Sequence, residues 1–353
     1  MTFNPKIKRI GFACKWAEIN KKGEIASTEG LNTGGTTKAW AERQSRRVAE
    51  EKVLDVAARN IMNTHNLIKR VATLPHELRM VRLTSDMLSF YTMDDWQPFW
   101  QSTDVQNKLA HWFAPLGETA RANDVRVSFH PDQFVVLASD REEVVNKSIE
   151  EFEYHASMAR WMGYGLTFQD FKINVHISGR QGPEGIRKAY KRLSPEARNG
   201  ITIENEEIVH GLDTCLSLGD LLPIVLDIHH HWVREGVYID PASDSVKRVV
   251  DSWRGVRPAC HYSVSREDIL VGHDLNVLPD MATLLEQGHK KQKLRAHSDY
   301  YWNKACNEWA LSFNEQFDIM CESKAKNLAS FALFEESKNV RQNKEIILEE
   351  ACA

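Results

Sequence analysis

Short apolar runs alternate with longer amphipathic stretches along most of the chain. Residues 171–178 (FKINVHIS) have the length and the β-branched content of a strand, whereas residues 142–163 repeat their apolar positions at helical spacing up to Gly163. This succession occurs eight times. The predicted strands cover residues 8–14, 78–84, 125–130, 171–178, 200–206, 222–228, 258–265 and 317–324.

Helices are predicted between these strands, and their order indicates the fold. Eight strands that alternate with helices favour a closed parallel barrel over an open sheet. We therefore predict an α/β protein with one (β/α)8 TIM-barrel domain over residues 1–338, followed by a charged C-terminal tail or closing helix over 339–353. The predicted helices cover residues 39–70, 94–122, 142–163, 183–193, 212–220, 243–253, 300–313 and 329–338.

The composition narrows the class of protein. A chain of 353 residues with 42% hydrophobic content suits one large α/β domain. A net charge of −4 excludes a surface that is basic all round, so nucleic-acid binding requires a local patch. The six cysteines form no CxxC pair, and neither a signal peptide nor a membrane span is evident. We expect a cytoplasmic monomer with no membrane partner, associated with the nucleoid in a bacterium or with the host cytoplasm in a viral infection.

Histidines and carboxylates stand at the ends of six successive predicted strands. In a TIM barrel these carboxyl ends meet on one face. A single such histidine would ordinarily be a hydrogen-bonded core residue, but burying this many ionisable groups costs several kcal/mol per unpaired charge unless cations are present. The residues are His130, His176, Glu204, Asp227, His261 and Glu322, with His297 in the loop before the last strand.

This set of side chains predicts a site for more than one metal ion. Imidazole combined with carboxylate suits Zn, Mn, Co or Fe better than Mg or Ca. The number of ligands exceeds one tetrahedral site, which predicts two or three ions with a bridging carboxylate such as Glu204. Such a cluster stabilises the attacking and leaving oxygens of a phosphodiester during cleavage.

The segment 225–232, VLDIHHHW, leaves open which histidine binds metal. Strand alternation would place Asp227, His229 and His231 on one face and His230 on the other. The answer depends on where the strand ends.

The chain resembles the ultraviolet-damage endonuclease family, TIM-barrel DNA repair enzymes related to endonuclease IV. The segment FHPDQFVVLAS (129–139) is similar to the family motif F-H-P-x-Q-[YF]. The segments NVHISG, IENEE, LDIHHH and CESKAKN follow in the family's order. The similarity extends over roughly residues 8–335.

The resemblance implies an activity and a ligand set. It implies cleavage of damaged double-stranded DNA immediately 5′ of cyclobutane dimers and 6-4 photoproducts, with up to three divalent ions; Mn²⁺ is favoured, and Zn²⁺, Co²⁺ and Mg²⁺ are alternatives. The family's Asp-x-x-His spacing pairs Asp227 with His230, which requires the chain to leave extended geometry just after Ile228. Glu204, Glu322 and His130 are the expected catalytic residues. The implied ligands are His130, His176, Glu204, Asp227, His230, His261, His297 and Glu322.

A second group of residues is expected to contact DNA. A Gln–Tyr pair of the family, which probes the duplex where damaged bases have left the stack, matches Gln133 and Phe134. Photoproducts stack poorly, so they are flipped out at low cost, and an aromatic wedge fills the gap. The alternative for Phe134 is the start of a buried helix. Phe12 matches a position of lesion contact, and the basic segment 289–295 is expected to contact phosphates rather than to form only a solvated loop. Its lysines are Lys290, Lys291 and Lys293.

The chain departs from the family pattern at four positions. Phe12 stands where the family often has a tyrosine, and the family's asparagine near Trp16 is missing, which bears on lesion contacts. Ala259 stands where the family can carry a modified lysine, and Asp86 where a histidine is common, which bears on metal number and affinity.

Three other functions remain open from the sequence. An abasic-site endonuclease of the endonuclease IV type would use the same ligands. A sugar isomerase or epimerase shares the barrel and the metals, but it requires a small closed pocket and binds no DNA. A lesion binder without catalytic activity has no need of so complete a ligand set. The basic loop and the Gln133–Phe134 pair favour the endonucleases.

Overall fold

The computed structural model describes residues 3–131 and 135–352, with side chains described as far as Asn339. Each predicted strand is present, trimmed at both ends to three to five residues, and a short hairpin was missed. The strands are β1 (Ile10–Ala13), β2 (Ala17–Ile19), β3 (Ile25–Ser27), β4 (Met80–Arg82), β5 (Arg126–Phe129), β6 (Lys172–His176), β7 (Ile201–Glu204), β8 (Ile224–Asp227), β9 (Ala259–Tyr262) and β10 (Asp318–Cys321).

Eight of these strands close into a parallel barrel in the order β1-β10-β9-β8-β7-β6-β5-β4. This confirms the predicted (β/α)8 TIM barrel. The other two, β2 and β3, form an antiparallel hairpin in the loop after β1. Its strands of three residues are too short and too exposed to show an alternating apolar pattern, which is why the sequence did not predict it.

Helices surround the barrel, and several predicted ones are divided. The predicted helix 39–70 is two helices, because Ser45 accepts a hydrogen bond from Val48 N and caps the second. The described helices include none that is both long and apolar enough to cross a membrane. They are α1 (Lys38–Ala41), α2 (Arg46–Ala72), α3 (Gln97–Trp100), α4 (Thr103–Ala122), α5 (Glu142–Trp161), α6 (Gly182–Tyr190), α7 (Pro195–Gly200), α8 (Leu212–Leu216), α9 (Ile228–Glu235), α10 (Asp244–Ser252), α11 (Met281–Glu286), α12 (Lys291–Leu294), α13 (Lys304–Ser312) and α14 (Asn327–Cys352), with 3-10 turns at His76–Leu78, Asp94–Trp96 and Phe313–Glu315.

An apolar layer fills the middle of the barrel. Met80, Val225, Ala259 and Met320 come from four different strands and pack together. Gly11 leaves room for the Met80 side chain, because a Cβ at residue 11 would lie 2.6 Å from Met80 Cγ. Since side chains alternate along a strand, the residues two positions further on also face the interior, one layer nearer the carboxyl ends.

A buried ionic cluster closes the amino-terminal end of the barrel. Asp318 is fully buried and accepts hydrogen bonds from Arg126 Nη1 and Arg257 Nε, each at 2.7 Å. The backbone N–H of Arg9 donates to the same carboxylate at 2.9 Å. One carboxylate therefore offsets the charge of several buried guanidinium groups.

Replacing Asp318 with Ala is expected to destabilise the protein by about 3–5 kcal/mol, because it leaves buried guanidinium groups without a counter-ion. Urea unfolding measures the change. Glu51→Ala is the matched control: it removes an exposed ion pair with Arg47 and should cost less than about 0.5 kcal/mol. A loss below about 1 kcal/mol for Asp318→Ala would contradict the assignment.

Candidate metal centre

The apolar layer carries a layer of ionisable side chains above it. Four members of this upper layer each lie two residues beyond a member of the apolar layer, on the same strand or just after it, and so face the same interior. Neighbouring strands place them in register: His176 pairs with Glu204, and Asp227 with His261. The pairs of lower and upper residues are Met80 and Arg82, Val225 and Asp227, Ala259 and His261, and Met320 and Glu322.

Six of the eight expected ligands form three overlapping triads among the described residues. Within each triad the potential ligand atoms lie within 4.8 Å of one another. Glu204 belongs to two triads, as the bridging carboxylate expected from the sequence would. The triads are His130–His176–Glu204, Glu204–Asp227–His261 and His130–His261–Glu322.

Glu204 lies at the middle of the centre with no solvent exposure. Its Oε1 is 3.0 Å from His261 Nδ1, and its Oε2 is 3.4 Å from His130 Nε2. Burial alone would raise the pKa of this carboxyl, but the imidazoles of His261, His176 and His130 around it hold it well below its usual range. Glu204 is therefore an anion in the protein interior.

The turn from β8 into α9 decides between the three consecutive histidines. Helix α9 begins at Ile228, one residue earlier than expected, with Asp227 as its N-cap: Asp227 Oδ1 accepts a hydrogen bond from His230 N at 2.7 Å. The chain has thus left extended geometry, as the Asp-x-x-His spacing requires. His230 Nδ1 lies 3.7 Å from Asp227 Oδ2 and 3.8 Å from Glu204 Oε1, which brings His230 to the edge of the triads.

The other two histidines of the run point elsewhere. The His229 ring is buried and stacks on Trp232, with centroids 5.6 Å apart, as expected for a packing residue. His231 is half-buried and belongs to none of the triads. The eighth expected ligand, His297, lies at the rim with its ring centroid 6.5 Å from that of His230.

The protonation states of His130, His261 and Glu322 suit metal binding. Burial lowers the pKa of His130 to about 4 and also lowers that of His261, so both imidazoles are neutral near pH 7. The pKa of Glu322 is well below its usual range, because Arg82 outweighs the effect of burial. Neutral imidazoles and ionised carboxylates are the forms that ligate divalent ions.

One oxygen of the centre has the chemistry of an unsatisfied metal ligand. Asp227 Oδ2 is buried and has no hydrogen-bond partner among the described residues. Burial raises the pKa of Asp227, which means that the protein alone does not stabilise its charge. A nearby divalent ion would satisfy this oxygen, and the mixed nitrogen and oxygen donor set matches Mn²⁺ or Zn²⁺.

Three residues that support the centre were missed by sequence reasoning. Arg82 forms an ion pair with Glu322, and Asn174 donates a hydrogen bond to Glu204. Lys172 is buried, with Nζ 3.0 Å from His261 Nε2, and burial lowers its pKa to about 7. The available signal was the spacing of Lys172, Asn174 and His176, which puts three polar side chains on the inner face of one strand.

Only some of the residues expected to bind DNA are exposed in the described part of the structure. Gln133 and Phe134 lie outside the described residues. Phe12 faces the surrounding helices rather than the centre: it is fully buried and packs edge-to-face on Trp16, so we leave it out of the proposed DNA-binding surface. Lys290 and Lys293 are exposed, whereas Lys291 is half-buried and its Nζ donates to Arg234 O at 2.6 Å.

Two of the departures from the family pattern also have a place in the structure. Asp86 is exposed and lies outside the triads. Ala259 belongs to the apolar layer, directly below His261. The amine that approaches His261 comes instead from Lys172 on β6.

A closed (β/α)8 barrel whose strand ends bury clustered histidines and carboxylates defines a TIM-barrel protein with a candidate centre for several metal ions. The model of one protein family, described as UV-endonuclease UvdE, matches residues 8–350. Because the match spans nearly the whole chain, the protein belongs to this family.

Individual relatives agree with the family. The UV DNA damage endonuclease of Bacillus cereus (strain 03BB102) is 24% identical over 319 residues, covering 86% of this chain and 89% of that protein. The Bacillus anthracis protein of the same name gives the same values. The crystal structure of SacUVDE matches with a TM-score of 0.68 at 24% identity, covering 95% of this chain and 99% of SacUVDE, which supports the fold.

The placement of the three histidines predicts different effects of their replacement. His230→Ala is expected to weaken Mn²⁺ binding by roughly tenfold or more, because it removes an imidazole beside Asp227 and Glu204. His231→Ala should leave Mn²⁺ binding unchanged within about twofold, since its ring lies outside the centre. Equilibrium dialysis with Mn²⁺ compares the two, and equal losses would refute the assignment.

Proposed function

We propose that the protein is a DNA repair endonuclease that nicks the backbone immediately 5′ of ultraviolet photoproducts, using two or three divalent ions, with Mn²⁺ favoured. The observation that carries the proposal is the set of three overlapping triads, two of which share Glu204, on the carboxyl face of the barrel. Membership of the UvdE family, and relatives named as UV DNA damage endonucleases, support the DNA substrate.

In this proposal the chain's residues hold the ions and orient one another. His130, His176 and Glu204 form one binding position, and Asp227 and His261 share Glu204 with it. Divalent ions at such a centre stabilise negative charge on a phosphodiester and lower the pKa of water. Arg82 holds Glu322, and Asn174 holds Glu204, so that both carboxylates keep their direction when DNA binds.

The proposed DNA-binding surface lies beside this centre. Lys290 and Lys293 are exposed on the segment that leads to His297, where they would contact phosphates on either side of the nick. Gln133 and Phe134 follow His130 by three and four residues, so we propose that they probe the lesion close to the metal ions. Lesion choice by insertion reads the shape and deformability of DNA rather than its base edges.

Duplex DNA irradiated with ultraviolet light should be cut in the presence of Mn²⁺, while the same untreated duplex stays intact. Sequencing gels locate the nick, and a duplex with one abasic site distinguishes an enzyme of the endonuclease IV type. Glu204→Gln should slow cutting by roughly two orders of magnitude or more, because the bridging charge is lost. Glu235→Gln, which alters an exposed carboxylate paired with Arg234, is the control. Equal cutting of both duplexes would disprove lesion specificity.

Binding to DNA should depend on salt in a way that identifies the phosphate contacts. Lys290→Gln and Lys293→Gln should each weaken binding uniformly across lesions and reduce the slope of log K against log salt concentration by about 1. Lys247→Gln, on the exposed side of α10, should leave the slope unchanged. The measurement is fluorescence anisotropy in EDTA, and identical slopes for all variants would place the phosphate contacts elsewhere.

A further inference from the structure

Two of the eight expected ligands, His230 and His297, lie outside the three triads of the described residues. Their rings face each other at the rim with centroids 6.5 Å apart. A third ion at this position would have two imidazoles but no carboxylate of its own from the expected set. Sites for divalent ions in proteins often combine imidazole ligands with at least one carboxylate.

The hydrogen bonds of His230 determine which of its nitrogens can ligate. His230 Nδ1 lies 3.0 Å from the carbonyl oxygen of Asn205, which accepts a hydrogen bond from it. When the ring gives up its second proton to a metal ion, the lone pair is therefore on Nε2. Glu207 Oε2 lies 3.7 Å from this Nε2. Two ligands of one ion, each about 2.1 Å from it, lie about 3–3.5 Å apart, so a movement of less than about 1 Å would bring both onto the same ion.

Glu207 is held in this position through its other oxygen. Arg295 Nη1 donates to Glu207 Oε1 at 2.8 Å, and the Glu207 side chain is only 14% exposed. One oxygen of the carboxylate is thus anchored by a guanidinium, while the other faces the free nitrogen of His230. Outer partners of this kind orient the carboxylates that bind metals.

We propose that Glu207 is a further metal-binding residue of this centre, that it binds a divalent ion together with His230, and that Arg295 is its positioning residue. The inference rests on the proposed metal-dependent function. Charge supports it: three divalent ions carry six positive charges, and Glu204, Asp227 and Glu322 supply only three negative ones. Glu207 adds a fourth beside the ligand that the triads leave out.

Mn²⁺ binding by the full-length protein tests this inference without requiring DNA or activity. The protein is stripped with EDTA, dialysed against a series of Mn²⁺ concentrations, and analysed for bound manganese. Glu207→Gln should lose one ion per chain, or bind one class of ion at least about tenfold more weakly. Glu235→Gln is the matched control, because it lies in the same groove but pairs with Arg234 and should bind Mn²⁺ as the wild type does. Superimposable isotherms for Glu207→Gln and the wild type would overturn the proposal.

Variants of Arg295 test its positioning role. They also serve as the test of the proposal if Glu207→Gln does not fold, and thermal melting in EDTA shows whether it folds. Arg295→Gln should weaken the same class of ion by a smaller factor, and Arg295→Lys should restore part of the affinity, since it keeps a cation near Glu207. Unchanged binding by Arg295→Gln would overturn the positioning role, and without a folded Glu207→Gln it would overturn the proposal as a whole. If the wild type binds no Mn²⁺, the metal-dependent function itself fails, which is a different outcome from an unchanged Glu207 variant.

Discussion

The carboxylate of Glu204, buried with no solvent contact, is the constraint on which the carboxyl face of the barrel depends. An anion in that position is stable only if cations or strong hydrogen-bond donors surround it. The surrounding strands provide them: Asn174 from β6, His130 after β5 and His261 from β9 all reach its two oxygens. Most of the ionisable side chains above the apolar layer can be understood as partners of this anion or of its neighbours.

The buried carboxylates at the two ends of the barrel have different kinds of partner. At the amino-terminal end Asp318 is surrounded by guanidinium groups, and both of its carboxylate oxygens accept hydrogen bonds from arginines of the chain. At the carboxyl end the carboxylates meet mainly imidazoles, and Asp227 Oδ2 has no hydrogen-bond partner among the described residues. The first arrangement holds the fold together, whereas the second is suited to bind cations. The apolar layer that contains Met80 and Met320 separates them.

The barrel could be predicted from the sequence because each strand is a short apolar run followed by a helix, and polar residues at strand ends must meet on one face. The supporting residues could not. Alternation from His176 gives Lys172 the inner face of its strand, but only the register of the barrel brings its amine to His261. Glu207 follows Glu204 by three residues, but only the loop after β7 and the position of α9 bring it to His230. Strand alternation alone favours His229, whereas the family's Asp-x-x-His spacing predicts His230, and the N-cap at Asp227 gives the physical reason for that spacing.

Helix α9 and the basic helix α12 are joined by several contacts. Lys291 Nζ donates to Arg234 O, Trp232 and Leu294 belong to one apolar cluster, and Arg295 holds Glu207 beside His230. An ion near His230 and a phosphate on the basic segment would therefore act on the same small unit of structure. Such sites would be thermodynamically linked. If bound metal raises the affinity for DNA by some factor, then bound DNA raises the affinity for metal by the same factor. Selective retention of metal on DNA would follow from this connection without any large change in shape.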